Sequence, residues 1–503
     1  MIELFVKNGR LMTLMILIII VSGLASLHIL PRSEDPDMVN RAASVITKFP
    51  GASAERVEAL VTEKIEQKLR KLSEIEYLAS TSRPEISVIQ VKLKGEVKDS
   101  EPVFSRIRDI LSDVAPHLPK EALPSSLEDE RSFAYTQLVS LNWAVDEAPD
   151  MLILGRYATE LKSQLRLVDN TDIVEIHGQN PEEILVELNQ DFIAMAGISL
   201  AQVSQAISNA DVKIPAGKLV NNYNQMQIEI SGALDSLDRI RSIPIISDQN
   251  SPLLVGDVAV VKRQIQKPAN DLAIVNGKPA LVVGTRMVKG VRVDLWSTQV
   301  AKKVAEFESM LPQSIKLEVL FDQNSYTTTR LADLVENIVI GFAIIAVVLF
   351  ISLGFRSALI VVASLPLTVL FTLSVMNYYG LPIHQMSVTG LVVALGIMVD
   401  NAIVMTDTIQ QKKQQGINGL KAVLDSVRHL WLPLLGSTLT TILAFMPIVL
   451  MPGDAGEFVG GIALSVIFAL IGSYIISHTI VAGLAGRFIK VNNKSGWLQN
   501  GLA

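Results

Sequence analysis

The sequence predicts an α-helical membrane protein of six spans that carries a large α+β domain outside the bilayer. Three observations predict it. Hydrophobic residues make up 49% and charged residues 19% of the 503 positions, and the mean hydropathy is +0.38, high for a water-soluble chain. The apolar surplus sits in a few long runs without Asp, Glu, Lys or Arg. Between the first run and the others lie roughly 300 residues in which strand and helix periodicities alternate and nothing is long enough to span. Composition also excludes several classes. With no cysteine there are no disulfides, thiolate zinc sites, iron–sulfur clusters or cysteine nucleophiles. A net charge of −6 argues against a nucleic-acid partner.

The first span is Leu11 to Leu30, free of charged side chains and long enough at about 1.5 Å per residue to cross a ~30 Å core. It ends His28-Ile29-Leu30-Pro31, which is not a small-residue cleavage site, so an uncleaved span is expected rather than a signal peptide. From Asn337 onward, 337–355, 357–399, 430–453 and 458–486 are charge-free. Tyr378-Tyr379-Gly380-Leu381-Pro382 breaks the longest run in two, and Ala402 to Met405 carries its second helix past Asp400. Spans are therefore expected near 11–30, 336–354, 358–378, 386–409, 433–452 and 459–482. Lys7, Arg10, Arg356, Lys412, Lys413, Lys421, Arg428, Arg487 and Lys490 all flank one side, and the short loops 380–385 and 453–458 carry no Lys or Arg. By the positive-inside rule both termini, including a tail at 483–503, are cytoplasmic and the long loop is outside.

In that loop, Ala42 to Phe49 reads as a strand, turned by Pro50-Gly51-Ala52-Ser53 into an amphipathic helix through Leu72. Strands at 75–80 and 86–94, a helix at 101–114 and a strand from Tyr135 to Trp143 follow. A second set comprises a helix at 150–167, strands at 173–177, 281–286 and 315–321, and a helix at 294–311. These are split βαβ units of an α+β sandwich. Residues of about 180–262 form an insertion with strands at 184–188, 226–230 and 253–255 and a helix at 200–209. Lys213 to Ile230 reads as a hairpin turned at Asn221-Asn222. No phosphate loop, nucleotide fingerprint, metal-ligand cluster or nucleophile elbow occurs, which makes an enzyme a poor reading.

Asp400 is the most informative residue, about 21 Å along the axis of its span. A carboxylate near the midplane costs on the order of 2.5–3.5 kcal/mol on insertion scales. A facing cation, a water-filled cavity or protonation must offset it. A carboxyl that changes protonation is what a proton-coupled carrier needs, whereas an Asp400–Asn401 polar staple between helices needs no function. Asp407, two turns further on, fits a relay step or a solvated cap equally well. Gly396 and the Gly390/Ala394 pair allow close helix approach. Thr438, Thr440 and Thr441 on the next span either hydrate a proton path or bond their own i−4 carbonyls.

Val399-Asp400-Asn401-Ala402-Ile403-Val404 resembles the fourth span of resistance–nodulation–division (RND) transporters. Gly354-Phe355-Arg356-Ser357 and Pro50-Gly51-Ala52-Ser53-Ala54-Glu55 resemble that family's short loop after the second span and its first βαβ turn. One span, a long outside loop and five more spans also resemble its half-repeat, over essentially the whole chain. The resemblance implies proton-driven export of hydrophobic or amphiphilic compounds from an inner membrane. It implies a homotrimer with a periplasmic adaptor protein and an outer-membrane channel, and no cofactor. It places porter subdomains at 33–130 and at 131–178 plus 265–325, and a docking insertion at 179–264 whose arm looks short. Drug-exporting members usually carry two adjacent acids where this chain has Asp400 and Asn401, and complete the relay with a Lys from a second half-repeat. A fragment, a split half needing a partner chain and a truncated product all remain open. By resemblance Phe133, Tyr135 and His177 line the substrate pocket. Core packing of the aromatics and an exposed strand-end histidine are the plain alternatives. Two other functions stay open. Export of a metal cation lacks methionine clusters or histidine ligand spacing, and a non-transporting sensor or assembly subunit would need no titrating carboxyl.

Overall fold

The computed structural model describes residues 8–129, 134–145, 147–211, 213–220, 224–231, 234–245 and 253–489, with the backbone alone for 213–220 and 226–231. Among them six helices are long and apolar enough to cross a membrane. They enclose no part of the α+β region, which forms three units with separate hydrophobic cores.

The chain enters through helix α1 (Gly9–Ile29). The first unit is an antiparallel sheet of order β2 (Ile75–Arg83), β3 (Ile86–Leu93), β1 (Ala42–Lys48), β4 (Ser126–Glu128). Gly51 takes φ +74, and Ser53 caps the following helix α2 by accepting from Arg56 N at 3.5 Å. Helix α2 runs through Ala54–Val57, a π-helical turn at Glu58–Thr62, and Glu63–Leu69. Its Val57, Val61, Ile65 and Leu69 recur every fourth position, are fully buried, and pack on Val45, Ile89, Val91 and the α3 (Glu101–Val114) residues Phe104 and Ile107. Each such side chain contributes about 1.5–3 kcal/mol by burial.

The second unit centres on β14 (Lys278–Met287). One edge pairs β5 (Gln137–Trp143), which pairs β15 (Ile315–Asp322); the other pairs β6 (Thr171–His177) and then β13 (Ala273–Val275). Helices α4 (Met151–Arg166) and α9 (Val293–Glu308) cover one face with Leu154, Leu161, Leu165, Trp296 and Val300. Tyr135 was expected in β5, but the strand begins at Gln137, because Tyr135 leaves the ladder to lie over Gly284. The third unit holds β7 (Glu182–Leu188) against β12 (Ala259–Ile265), with helices α5 (Gln190–Ala196), α6 (Leu200–Ala210) and α7 (Leu237–Arg241). Its arm pairs β8 (Lys213–Val220) with β9 (Gln225–Ser231); Asn221 and Asn222 lie outside the described residues. Between α7 and β12, β10 (Pro244–Ile245) pairs β11 (Leu253–Leu254). The strand expected at 253–255 stops at Leu254, because Asp257 accepts the Leu254 N–H at 2.9 Å and starts helix α8 (Val255–Val258).

Strand β15 then runs into α10 (Gln323–Leu353) with no linker, Asp322 capping Asn324 N at 3.1 Å. Helices α11 (Phe355–Tyr379), α12 (Gln385–Gln414), α13 (Gly419–Val449) and α14 (Gly453–Ile476) follow, then a π-helical turn at Ser477–Val481 and α15 (Ala482–Phe488). α10 and α13 reach well beyond the spans expected at 336–354 and 433–452. Charges end the apolar run but not the helical hydrogen bonding, so hydropathy marks the span and not the helix. Gly354 and Gly380, at φ +77 and +79, make the turns that the sequence put between spans. Helices α12 and α14 cross closely at the centre: a Cβ on Gly390 would lie 2.5 Å from the Ile462 carbonyl oxygen, and Ala394 is fully buried. Gly396, expected to serve such an approach, has nothing within 4 Å of its Cβ position and faces outward. At the far end the Lys413 ammonium donates to the carbonyls of Ala485 (3.1 Å), Gly486 (2.5 Å) and Ile489 (2.9 Å), capping α15.

Candidate functional site

Asp400 and Asn401 are adjacent on α12 and point different ways. Asn401 is 5% exposed, facing α13 and α14, with its Nδ2 3.4 Å from both Thr438 Oγ1 and Ser473 Oγ. The Ser473 hydroxyl in turn donates to the Met398 carbonyl. This polar bridge ties the middle of α12 to the two neighbouring helices. Asp400 is exposed and makes no hydrogen bond or ion pair among the described residues. It shares the outer surface of α12 with Val393, Gly396 and Val404, an apolar strip with one acid in it.

Asp407 is half-buried and accepts from Gln411 Nε2 at 2.7 Å, a local i,i+4 contact near the end of the helix. Thr440 and Thr441 donate to the carbonyls of Gly436 (2.8 Å) and Ser437 (3.0 Å), the plain alternative; of the three threonines only Thr438 reaches the site.

Phe133 lies outside the described residues. Tyr135 and His177 come together on the face of the second sheet away from its helices. Their rings meet edge-on at 5.3 Å, and His177 Nε2 lies 3.0 Å from the tyrosine oxygen. The Tyr135 hydroxyl donates its one proton to the Glu175 carboxylate, so toward His177 it accepts, which sets the hydrogen on Nε2. The sequence suggested these two residues separately; it gave no sign of Glu175 as their partner.

The model of the AcrB/AcrD/AcrF family matches residues 1–500. The chain belongs to that family. An uncharacterized transporter of Haemophilus influenzae is 23% identical over 501 residues, which are 99% of this chain and 48% of that protein. Multidrug resistance protein MdtC of Photorhabdus laumondii is 26% identical over 497 residues, 97% of this chain and 47% of that protein. MdtC of Escherichia coli is 24% identical over 498 residues, with shares of 97% and 48%. The chain spans about half the length of the curated relatives it matches. As an RND transporter chain of the AcrB/AcrD/AcrF family it is a multi-pass membrane protein.

Sequence reasoning missed the largest ionic group among the described residues of this AcrB/AcrD/AcrF chain, at the N-terminal end of α14. Arg41, 2% exposed, pairs with Asp454 (2.8 Å) and Glu457, and Lys92 pairs with Asp454 at 3.0 Å. The available signal was the loop 453–458, which holds two acids and no base and so needed cations from elsewhere in the chain.

Proposed function

We propose that this chain forms half of a proton/substrate antiporter that exports hydrophobic or amphiphilic compounds from an inner membrane. In this reading the three α+β units are periplasmic: two porter subdomains at 33–130 and at 131–178 with 265–325, and a docking insertion at 179–264. The assembly is a homotrimer that works with a periplasmic adaptor and an outer-membrane channel. The separate cores support that division, and the transporter and multidrug-resistance names of the relatives support export. Tyr135, His177 and, through sequence position, Phe133 would line the substrate path. The flanking cations Arg10, Arg356, Lys412, Lys413, Lys421, Arg428 and Arg487 support cytoplasmic ends.

The observation that carries the proposal is the exposure of Asp400 on an otherwise apolar surface of α12. Facing lipid, that carboxylate would cost several kcal/mol. Covered by a second six-span half that supplies a cation, it becomes a group whose charge depends on proton supply. Asn401 holds the helix, Asp400 takes and releases the proton, and Asp407 lies toward the cytoplasmic exit. The test is Asp400→Asn in the native-length pump, reconstituted in proteoliposomes with an imposed pH gradient. Uphill efflux should be abolished while membrane abundance and assembly match wild type. Wild-type efflux from that variant would refute the reading, and a variant altered only in assembly would favour a non-transporting subunit.

A further inference from the structure

Arg41 is a buried guanidinium where the first unit meets the membrane helices. Its Nη1 lies 2.8 Å from Asp454 Oδ1 and 3.1 Å from Glu457 Oε2, and its Nη2 also pairs with Glu457. Its Nε donates to the Val97 carbonyl at 2.9 Å, and Nη1 lies 3.4 Å from the Val39 carbonyl. Glu457 Oε2 also accepts the Val39 N–H at 2.8 Å. Beside it the backbones touch: a Cβ on Gly95 would lie 3.1 Å from the Gly453 Cα. Both carboxylates stand in the first two turns of α14, where the helix dipole already favours negative charge. The first unit is thus fastened to the top of α14 by charge, hydrogen bonds and backbone contact.

Helix α14 contains no proline, and its Ser473 lies about 28 Å below Asp454, where it holds the Met398 carbonyl and Asn401 beside Asp400. The second unit is carried by other helices. β15 continues directly into α10, while Arg292 Nη1 donates to the His28 carbonyl (2.7 Å) at the end of α1, and Arg32, just after α1, bonds the Leu27 carbonyl (3.2 Å) and pairs with the second unit's Asp294 at 3.6 Å.

We propose that Arg41 is a positioning residue for transport: it makes the first exterior unit follow α14 as one body, so that a shift of the α12/α14 pair at Asp400 moves that unit relative to the second, which follows α1 and α10. This inference rests on the transport reading above. Its test uses the native-length pump in proteoliposomes, with spin labels at Lys94→Cys and Ala455→Cys across the joint and, separately, at Lys68→Cys and Lys302→Cys across the two units. The chain's lack of cysteine makes these pairs specific within it. On applying a proton gradient, the 94–455 distance distribution should stay fixed while the 68–302 distribution shifts. Arg41→Ala should lower efflux at least tenfold, with unchanged abundance and a broadened 94–455 distribution, and Arg41→Lys should restore part of both. A 94–455 distribution that splits under the gradient, or an Arg41→Ala pump within twofold of wild type, would overturn the proposal. A wild-type pump with no efflux at all would instead sink the transport reading, and the label distances would still decide whether the joint holds.

Discussion

Asn401 is neutral, buried and hydrogen-bonded, while the acid beside it, Asp400, faces outward. A second acid at 401 would be enclosed by Thr438 and Ser473 with no cation among the described residues, the arrangement in which a buried charge is most costly. The amide at 401 is therefore what this half of the bundle accommodates unaided. The same physics runs the other way at Asp294, outside the membrane. The Arg292 side chain bonded to it holds its carboxyl below the usual carboxylate range. A folded-state value below the unfolded ~3.9 contributes stability at any pH above about 4, and that contribution is lost as pH falls further. Asp294→Asn should lower the thermal unfolding midpoint at pH 7, and its difference from wild type should shrink at pH 3. A difference that is constant with pH would show that the ion pair contributes nothing.

At the level of the helix, the α12/α14 crossing depends on the absence of side chains. A methyl at Gly390 would meet the Ile462 carbonyl oxygen at 2.5 Å and Ser465 Cβ at 2.9 Å, and a backbone oxygen cannot rotate aside. Gly390→Ala should destabilise the bundle by about 1–3 kcal/mol, as overpacking does. Gly396→Ala, six residues on and facing outward, should be neutral to within about 0.5 kcal/mol. Unfolding in detergent would compare them, and equal effects would contradict the crossing described. The sequence offered both glycines as close-approach sites. It could not separate them, because α12 is apolar almost all round and has no periodicity to fix its rotation.

Across the whole molecule the cores are separate, so damage should stay local. Ile65→Ala removes a fully buried side chain from the first unit and should cost about 2–5 kcal/mol. Native-state hydrogen exchange should quicken in α2, β1 and β3 and leave β5 and β14 protected. Faster exchange in both sheets would mean that the units unfold together. The first unit is tied to α14 by Arg41 and Lys92 on Asp454 and Glu457, so the measurement also reports whether that cluster transmits instability to α14.

Local composition was enough to determine the six spans, the strand–helix alternation of the exterior and the isolation of one acid within a span. Hydropathy and periodicity are properties of neighbouring residues, and lipid or water responds to them wherever the rest of the chain lies. Only the tertiary structure decided that Asn401 rather than Asp400 turns inward, that Tyr135 and His177 share Glu175, and that Arg41 meets Asp454 and Glu457 more than 400 positions away. Those outcomes depend on helix rotation, on strand register and on which unit sits above which helix. Packing among distant segments sets all three, and no local pattern carries them.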